Sequence, residues 1–238
     1  MRYCKRCLYP QTKPHLFFDE NGVCSACLAY AERANIDWEQ RAVDFDRLVG
    51  SMRSRRGSYD CIVPVSGGKD STYQVVTLLK HGLRPLAVTA MTDHLTPLGW
   101  ENLNNISKLG VDHVMIQPNQ GLRRRLNRYC LSTIGDISWP EHALIFTTPI
   151  REAILRCIPL VVYGENPENE YGGPPEAQGA MTIDKRWLQE FGGLNGLRVT
   201  DFIDADIATR SEMEQYFYPE DVDVDRKASC RERVSSPV

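Results

Sequence analysis

Residues 61–82 read CIVPVSGGKDSTYQVVTLLKHG, an apolar run that passes through two adjacent glycines into a helical pattern. The run before the glycines predicts a buried strand, and DSTYQVVTLLKHG predicts a helix that ends at Gly82. Sheets built from such units bind ligands beyond the carboxyl ends of their strands, where a helix N-terminus presents unpaired N–H groups to an anion. The stretch therefore predicts a phosphate-binding turn between a strand and a helix.

The turn at residues 66–71 combines glycines with hydroxyl, ammonium and carboxylate side chains. The glycines let the backbone approach phosphate oxygens closely, and the carboxylate of Asp70 suggests magnesium binding or helix capping. The residues expected to contact the phosphates are Ser66, Gly67, Gly68, Lys69, Asp70 and Ser71. The run matches neither G-x4-G-K-[ST] nor G-x-G-x-x-G, so these two common nucleotide motifs are excluded here. A glycine-rich turn without a ligand is the alternative.

The main domain, predicted over residues 58–190, alternates apolar runs with helical patterns. Further strands are predicted at residues 84–91, 112–118 and 158–166, and further helices at residues 98–110, 121–135 and 141–157. Alternation of this kind implies parallel strands with helices on both faces. The expected fold class is therefore a doubly wound parallel α/β sheet.

Four cysteines near the N-terminus form two C-x2-C pairs, namely Cys4 with Cys7 and Cys24 with Cys27. Two such turns together make a tetrahedral four-sulfur site, so we expect a structural zinc ribbon over residues 1–35. An iron–sulfur cluster or a redox role is the alternative for these cysteines. His15 lies between the pairs and is expected to be a bystander. Residues 36–57 carry a charged helical pattern and are predicted to be a connector.

The composition limits the possible classes of protein. The chain has 238 residues, of which 42% are hydrophobic and 25% charged, and its net charge is −3. We expect a soluble, cytoplasmic protein, because no apolar run approaches the roughly 18 residues of a membrane span. The acidic balance argues against a broad nucleic-acid surface but leaves a local basic site possible. The basic run at residues 123–128 is expected to be a solvated helix face.

The segment VSGGKDST resembles the S-G-G-x-D-S fingerprint of the PP-loop ATP pyrophosphatases, which cleave ATP to AMP and pyrophosphate while adenylating a carbonyl oxygen. Together with GWENLNNISKLGVDHV, WPEHALIFTTPIREA, IPLVVYGENPENEYGG and the cysteine segment, it resembles the N-acetyl sugar amidotransferases of bacterial surface-polysaccharide biosynthesis. That resemblance implies a C–N ligase in lipopolysaccharide or O-antigen synthesis, which converts the N-acetyl group of a nucleotide-linked or otherwise activated sugar to an acetamidino group. It also implies a separate glutaminase subunit that supplies ammonia, either directly or through a cyclase-like channelling partner.

The resemblance implies that the turn holds the pyrophosphate of ATP with Mg²⁺, and that Val88 and Thr89 meet the adenine through backbone groups. Topology places Glu165 and Asn166 in the same crevice, where Glu165 binds magnesium, orients the target amide or only caps a turn. Glu170 and Tyr171 are candidate substrate-loop residues or ordinary turn residues. Glu141 with His142 is a candidate pair for proton transfer, although a carboxylate at a helix start explains Glu141 as well. The expected catalytic residues are Lys69, Asp70, His142 and Glu165.

Two other functions compete with the amidotransferase. A PP-loop tRNA thiolase usually carries sulfur on a pair of core cysteines, whereas this chain has isolated Cys61, Cys130, Cys157 and Cys230 after the ribbon. A non-enzymatic nucleotide-binding or zinc module is the other alternative. We expect residues 191–224 to begin a truncated C-terminal region and residues 225–238 to be a non-native tail, because the composition changes abruptly there.

Overall fold

A computed structural model of the chain describes residues 1–13, 16–53, 59–92, 94–164, 185, 188–189 and 192–219. Three parallel strands form its sheet: β1 (Cys61–Pro64), β2 (Pro85–Ala90) and β3 (His113–Ile116), in the order β1-β2-β3. The helices are α1 (Ser25–Glu32), α2 (Trp38–Met52), α3 (Lys69–Lys80), α4 (Pro97–Lys108), α5 (Gln120–Ile134), α6 (Trp139–Arg156) and α7 (Val199–Asp204). Short 3₁₀ helices span Arg33–Asn35 and Glu214–Tyr216.

The run at residues 158–166, which was predicted to be a strand, forms one parallel bridge to β1 within its described part. Ile62 donates its N–H to the Leu160 carbonyl and accepts the N–H of Val162, both at 2.8 Å. Alternate residues of β1 face this neighbour, and the next of them, Pro64, has no N–H to donate. The ladder therefore stops after one bridge, although the segment lies where a fourth strand belongs.

The order of these segments creates a switch point in the sheet. The chain passes from β1 through β2 to β3 in one direction and then returns to the other side of β1 at residues 160–162. Ligands of doubly wound sheets bind in the crevice where the strand order reverses. The prediction of a parallel α/β sheet is therefore confirmed, and the crevice between β1 and residues 160–164 lies at its binding edge.

Two apolar cores cover the two faces of the sheet. Ile62, Leu86 and Val88 pack against α5, α6 and the segment at residues 194–218. Cys61, Val63 and Ala87, which alternate with them, pack against α2, α3 and α4. This period of two along each strand follows from the pleat, and it shows that helices cover both faces of the sheet. None of the described helices is long and apolar enough to cross a bilayer.

The buried carboxylate of Asp60 joins the starts of β1 and β2. It accepts hydrogen bonds from the backbone N–H of Arg84 at 2.8 Å, from Nε at 3.1 Å and from Nη2 at 2.9 Å. The Asp60 side chain is 3% exposed, and its hydrogen bonds and charge raise the pKa of Arg84. A buried charge held by several donors stabilises the arrangement that supplies those donors.

We expect Asp60→Ala to lower the free energy of unfolding by about 3 kcal/mol, because it leaves the Arg84 donors without this acceptor. Asp44→Ala is the control, since Asp44 forms an exposed ion pair with Arg47 on α2, and we expect it to change stability by less than about 1 kcal/mol. Urea unfolding followed by circular dichroism measures both values. Equal losses for the two variants would contradict this role of Asp60.

Candidate functional site

The loop between β1 and α3 is held against α4 by a close backbone contact. Gly67 has φ +78°, and a Cβ built on it would lie 2.9 Å from the backbone nitrogen of Leu103 and 3.1 Å from its Cα. A side chain at this position would clash with backbone atoms that cannot move independently. The first glycine of the pair is therefore required by both its conformation and its packing.

Hydroxyl groups stabilise the open shape of this loop. Ser71 donates to the Gly68 carbonyl at 3.2 Å and accepts the N–H of Ser66 at 3.4 Å, while Thr72 also donates to the Gly68 carbonyl at 2.9 Å. Gly68 is the N-cap of α3, and no side chain caps this end of the helix. The first N–H groups of a helix have no acceptor within it, so this end of α3 presents donors to an anion.

Lys69 and Asp70 form an ion pair with each other at the start of α3. Lys69 Nζ lies 2.7 Å from Asp70 Oδ1, and the side chains are 89% and 60% exposed. An exposed pair contributes little stability, so either group can turn to a ligand at small cost. Asp70 lines the cavity described next, whereas Lys69 is absent from the described residues that line it.

A cavity of about 310 Å³ lies beside the loop, at the carboxyl ends of β1, β2 and the segment at residues 160–164. The loop contributes Ser66, Gly68 and Ser71 to its wall, and the end of β2 contributes residues 88–92. The facing wall is apolar and comes from Ile145, Phe146 and Pro149 of α6. A site with hydrogen-bonding groups on one side and apolar groups on the other suits an organic molecule that carries phosphate.

Val88 and Thr89, which are predicted to contact adenine, line the cavity at the end of β2. Both residues already make structural hydrogen bonds. The Val88 carbonyl accepts the N–H of Val65 at 2.9 Å, and Thr89 Oγ1 donates to the Val65 carbonyl at 2.6 Å. Thr89 Oγ1 therefore accepts from His113 Nε2, which lies 2.8 Å away. Burial lowers the pKa of His113 and favours the neutral ring, and the hydrogen bond to Thr89 places the ring proton on Nε2.

The structure does not bring His142 to this cavity. Its Nδ1 lies 3.2 Å from the Gly193 carbonyl, and His142 is absent from the described residues that line the cavity. Glu141 accepts hydrogen bonds from Asn127 at 3.1 and 3.2 Å and lies 3.9 Å from Arg123, so it links α6 to α5. A catalytic role for His142 stays a prediction.

Glu165, Asn166, Glu170 and Tyr171 lie outside the described residues, as does His15. Gly164, the last described residue before them, lines the cavity. Sequence reasoning missed Gln74, Tyr163 and the apolar residues of α6. The sequence could have indicated Gln74, because it follows Asp70 by four residues and Ser71 by three and therefore lies on their face of the helix.

The four cysteines of the ribbon form a second candidate site. Their sulfur atoms all lie within 4.8 Å of one another, with 4.0 Å between Cys4 and Cys27 and 3.5 Å between Cys7 and Cys24. Zinc bonds of about 2.3 Å in a tetrahedron place sulfurs about 3.8 Å apart, so the cluster fits that ion. Residues 1–13 and 16–32 surround it with a small core of their own, which includes Leu16 and Ala26.

The protein environment also favours a thiolate in the cluster. Burial raises the pKa of Cys4, but backbone N–H groups of Cys7, Arg6 and Cys24 outweigh it and lower the value to about 6. Burial and the neighbouring cysteines raise the pKa of Cys27. Without a metal, four thiolates would repel one another in a buried site, whereas a divalent cation compensates their charge. The four cysteines could therefore hold zinc.

No family model matches the chain. An uncharacterised protein of Methanocaldococcus jannaschii is 26% identical over 107 residues, which cover 44% of this chain and 38% of that protein. The chain thus matches well under half the length of this curated relative.

Solved structures with partial similarity include two synthetases. The NMN synthetase of Francisella tularensis overlaps with a TM-score of 0.40 and 16% identity, covering 56% of each chain. The NH₃-dependent NAD synthetase of Campylobacter jejuni overlaps with a TM-score of 0.42 and 14% identity, covering 81% of this chain and 94% of that one. A predicted subunit of a tRNA methyltransferase from M. jannaschii overlaps with a TM-score of 0.35 and 18% identity, covering 54% of this chain and 60% of that one. Overlaps of this size define neither an activity nor a substrate.

We expect Gly67→Ala to lower the free energy of unfolding by about 3 kcal/mol, because it adds both a strained φ and a clash with the Leu103 backbone. Gly110→Ala is the matched control, since Gly110 has φ +85° and nothing within 4 Å of a built Cβ. Gly110→Ala should lower the free energy of unfolding by only about 1 kcal/mol, which is the cost of a positive φ for alanine. Urea unfolding measures both, and equal losses would show that the contact with α4 contributes nothing.

We expect the purified chain to bind one zinc ion, and Cys24→Ser to abolish that binding and expose residues 1–32 to amide hydrogen exchange. Elemental mass spectrometry and exchange measurements check the two effects. Cys157→Ser is the control, because Cys157 is exposed and lies outside the cluster. Iron with visible absorbance in place of zinc would instead support the iron–sulfur alternative.

Proposed function

We propose that this chain is a PP-loop enzyme that uses ATP to adenylate the oxygen of an amide and then replaces that oxygen with ammonia. The observation that carries the proposal is the loop at residues 66–71, which opens α3 at the switch point of a parallel sheet and lies against a cavity of about 310 Å³. The proposed substrate is an N-acetylated sugar on a nucleotide or another activating group. Its product is the acetamidino sugar of a surface polysaccharide.

The reaction needs activation because an amide carbon is a poor electrophile. The amide oxygen attacks the α-phosphorus of ATP, the bond to the bridging oxygen breaks, and pyrophosphate leaves with its electron pair. Ammonia then attacks the carbon of the O-adenylyl imidate and AMP leaves with the former amide oxygen. A proton lost from nitrogen completes the amidine. The protein's main task in both steps is to position the reactants and stabilise charge.

The described residues suit the phosphate side of this reaction. The N–H groups at the start of α3 and the Ser66 hydroxyl offer donors to the departing pyrophosphate, and the Ser71 hydroxyl adds a donor when it turns from the Gly68 carbonyl. Lys69 supplies positive charge by leaving its exposed pair with Asp70. Asp70 offers a carboxylate that would hold magnesium, which neutralises phosphate charge when bound. The apolar wall from α6 limits the access of water to the imidate.

The cysteines outside the ribbon argue against the tRNA thiolase alternative. Cys61 and Cys130 are fully buried, and burial raises the pKa of each thiol to about 12. Thiols of this kind are poor nucleophiles at neutral pH. Cys157 is exposed and forms no disulfide with another described cysteine. Among the described cysteines outside the ribbon, Cys157 is thus the one with an exposed thiol.

We propose that ammonia comes from a separate glutaminase, either directly or through a cyclase-like channelling subunit. The chain alone should therefore use ammonium but not glutamine. A cytoplasmic location fits these nucleotide-dependent steps and stays a prediction.

The test is to incubate the chain with ATP, magnesium, ammonium and a panel of N-acetylated nucleotide sugars. We expect AMP release together with a product in which one oxygen is replaced by NH, detected by mass spectrometry. Ser71→Ala and Asp70→Ala should reduce the rate about 100-fold or more, because each removes a group that contacts the phosphates or their magnesium. Asp44→Ala on the exposed face of α2 is the control.

Amidine formation that is unchanged in Ser71→Ala and Asp70→Ala would contradict the proposed site. AMP release that depends on tRNA and not on any sugar would favour the RNA-modifying alternative. Turnover with glutamine by the purified chain would contradict the separate glutaminase.

A further inference from the structure

Gln74 is a buried polar residue of the cavity that the proposed reaction does not yet use. It lies on α3, is 4% exposed and lines the cavity. Its Nε2 has no hydrogen-bond partner among the residues that the structure describes. Buried amide groups are almost always paired, since an unpaired donor loses its hydration without compensation. Such a group at a cavity wall indicates a partner that the cavity receives from outside.

The position of Gln74 relates it to the phosphate loop. It follows Ser71 by three residues and Asp70 by four, so the three side chains lie on the same face of α3. Three residues of helix advance about 4.5 Å along the axis. Gln74 therefore continues the row of polar groups of the loop about one turn further along α3.

On its other side Gln74 contacts Gly164. A Cβ built on Gly164 would lie 1.6 Å from Gln74 Nε2 and 2.5 Å from Cδ, so the amide occupies the space that any larger residue would fill. Gly164 ends the described part of the segment that returns beside β1. The amide thus lies between the phosphate loop and the carboxyl end of that segment, at the switch point of the sheet.

We propose that the Gln74 side-chain amide binds the nucleotide by donating a hydrogen bond to a phosphoryl oxygen on the α-phosphate side, and that Gly164 leaves the space for it. The inference rests on the proposed function for the identity of the ligand. A neutral amide suits this place, because a buried lysine or arginine would need a compensating charge. The amide's nitrogen and oxygen exchange by a half-turn about one bond, so the donor can face the ligand once it is bound.

The test measures binding of α,β-methylene ATP with magnesium by calorimetry. Gln74→Met keeps the length of the side chain and removes its hydrogen bonding, and we expect it to raise Kd about 10-fold. We expect its melting temperature to stay at or above that of the wild type, because the change removes an unpaired buried group. Gln40→Met is the matched control, since Gln40 lies on the exposed face of α2, and it should leave Kd unchanged.

The contact with Gly164 supplies a second measurement. Gly164→Ala should weaken binding by a similar factor, because its methyl group displaces the amide. In a Gln74→Ala background, Gly164→Ala should not raise Kd further, since the amide that its methyl group would displace is then absent. This non-additivity is specific to the proposed contact and does not follow from a general loss of stability.

The outcomes separate the inference from the proposed function. If Gln74→Met binds the analogue within twofold of the wild type while Ser71→Ala binds it weakly, the inference is wrong and the nucleotide site stands. If Gly164→Ala raises Kd by the same factor in the wild type and in Gln74→Ala, the proposed role of Gly164 is wrong. If the wild type does not bind the analogue at all, the proposed function fails and the inference fails with it.

Discussion

The candidate site depends on the contact between the Gly67 backbone and the backbone of α4 at Leu103. This close approach, together with the hydrogen bonds of Ser71 to Ser66 and Gly68, goes with a loop in which the start of α3 and both serine side chains lie next to the cavity. A loop that were free to collapse would satisfy its own donors and lose them for a ligand. One contribution of the sheet to the candidate site is thus that it brings α4 against this loop.

The rest of the cavity is assembled from parts that are distant in sequence. The apolar wall comes from α6, where Pro149 lacks the N–H that would bind the Ile145 carbonyl, and both of these residues line the cavity. The segment at residues 160–164 reaches the same place by pairing with Ile62 on the far side of β1. Rings of Trp139 and Phe202, 4.4 Å apart between centroids, pack the C-terminal segment on the other end of α6. One helix, α6, therefore both lines the cavity and packs against α7.

The cysteine cluster is organised separately from the sheet. Its small core includes Leu16 and Ala26, and its sulfurs converge without any residue of the α/β domain. A core of this size buries little apolar surface, so a metal ion held by the four cysteines would add stability that this core does not supply. The converging sulfurs and the small core around them favour a structural role for this cluster.

Local patterns in the sequence determined the parallel α/β class, the glycine loop and the four-sulfur cluster, because each depends on residues that are near one another in the chain. Only the tertiary structure decided which distant residues complete the cavity. It also places the His142 ring next to the Gly193 carbonyl and not in the lining of the cavity. The strand predicted at residues 158–166 was reduced to a single bridge in its described part by Pro64, a residue almost a hundred positions earlier. Gln74 was visible in the sequence as a helical neighbour of Ser71, but its burial and its contact with Gly164 depend on how the chain returns to β1. Periodicity and motif spacing describe one segment at a time, whereas burial and partners depend on the segments that pack against it.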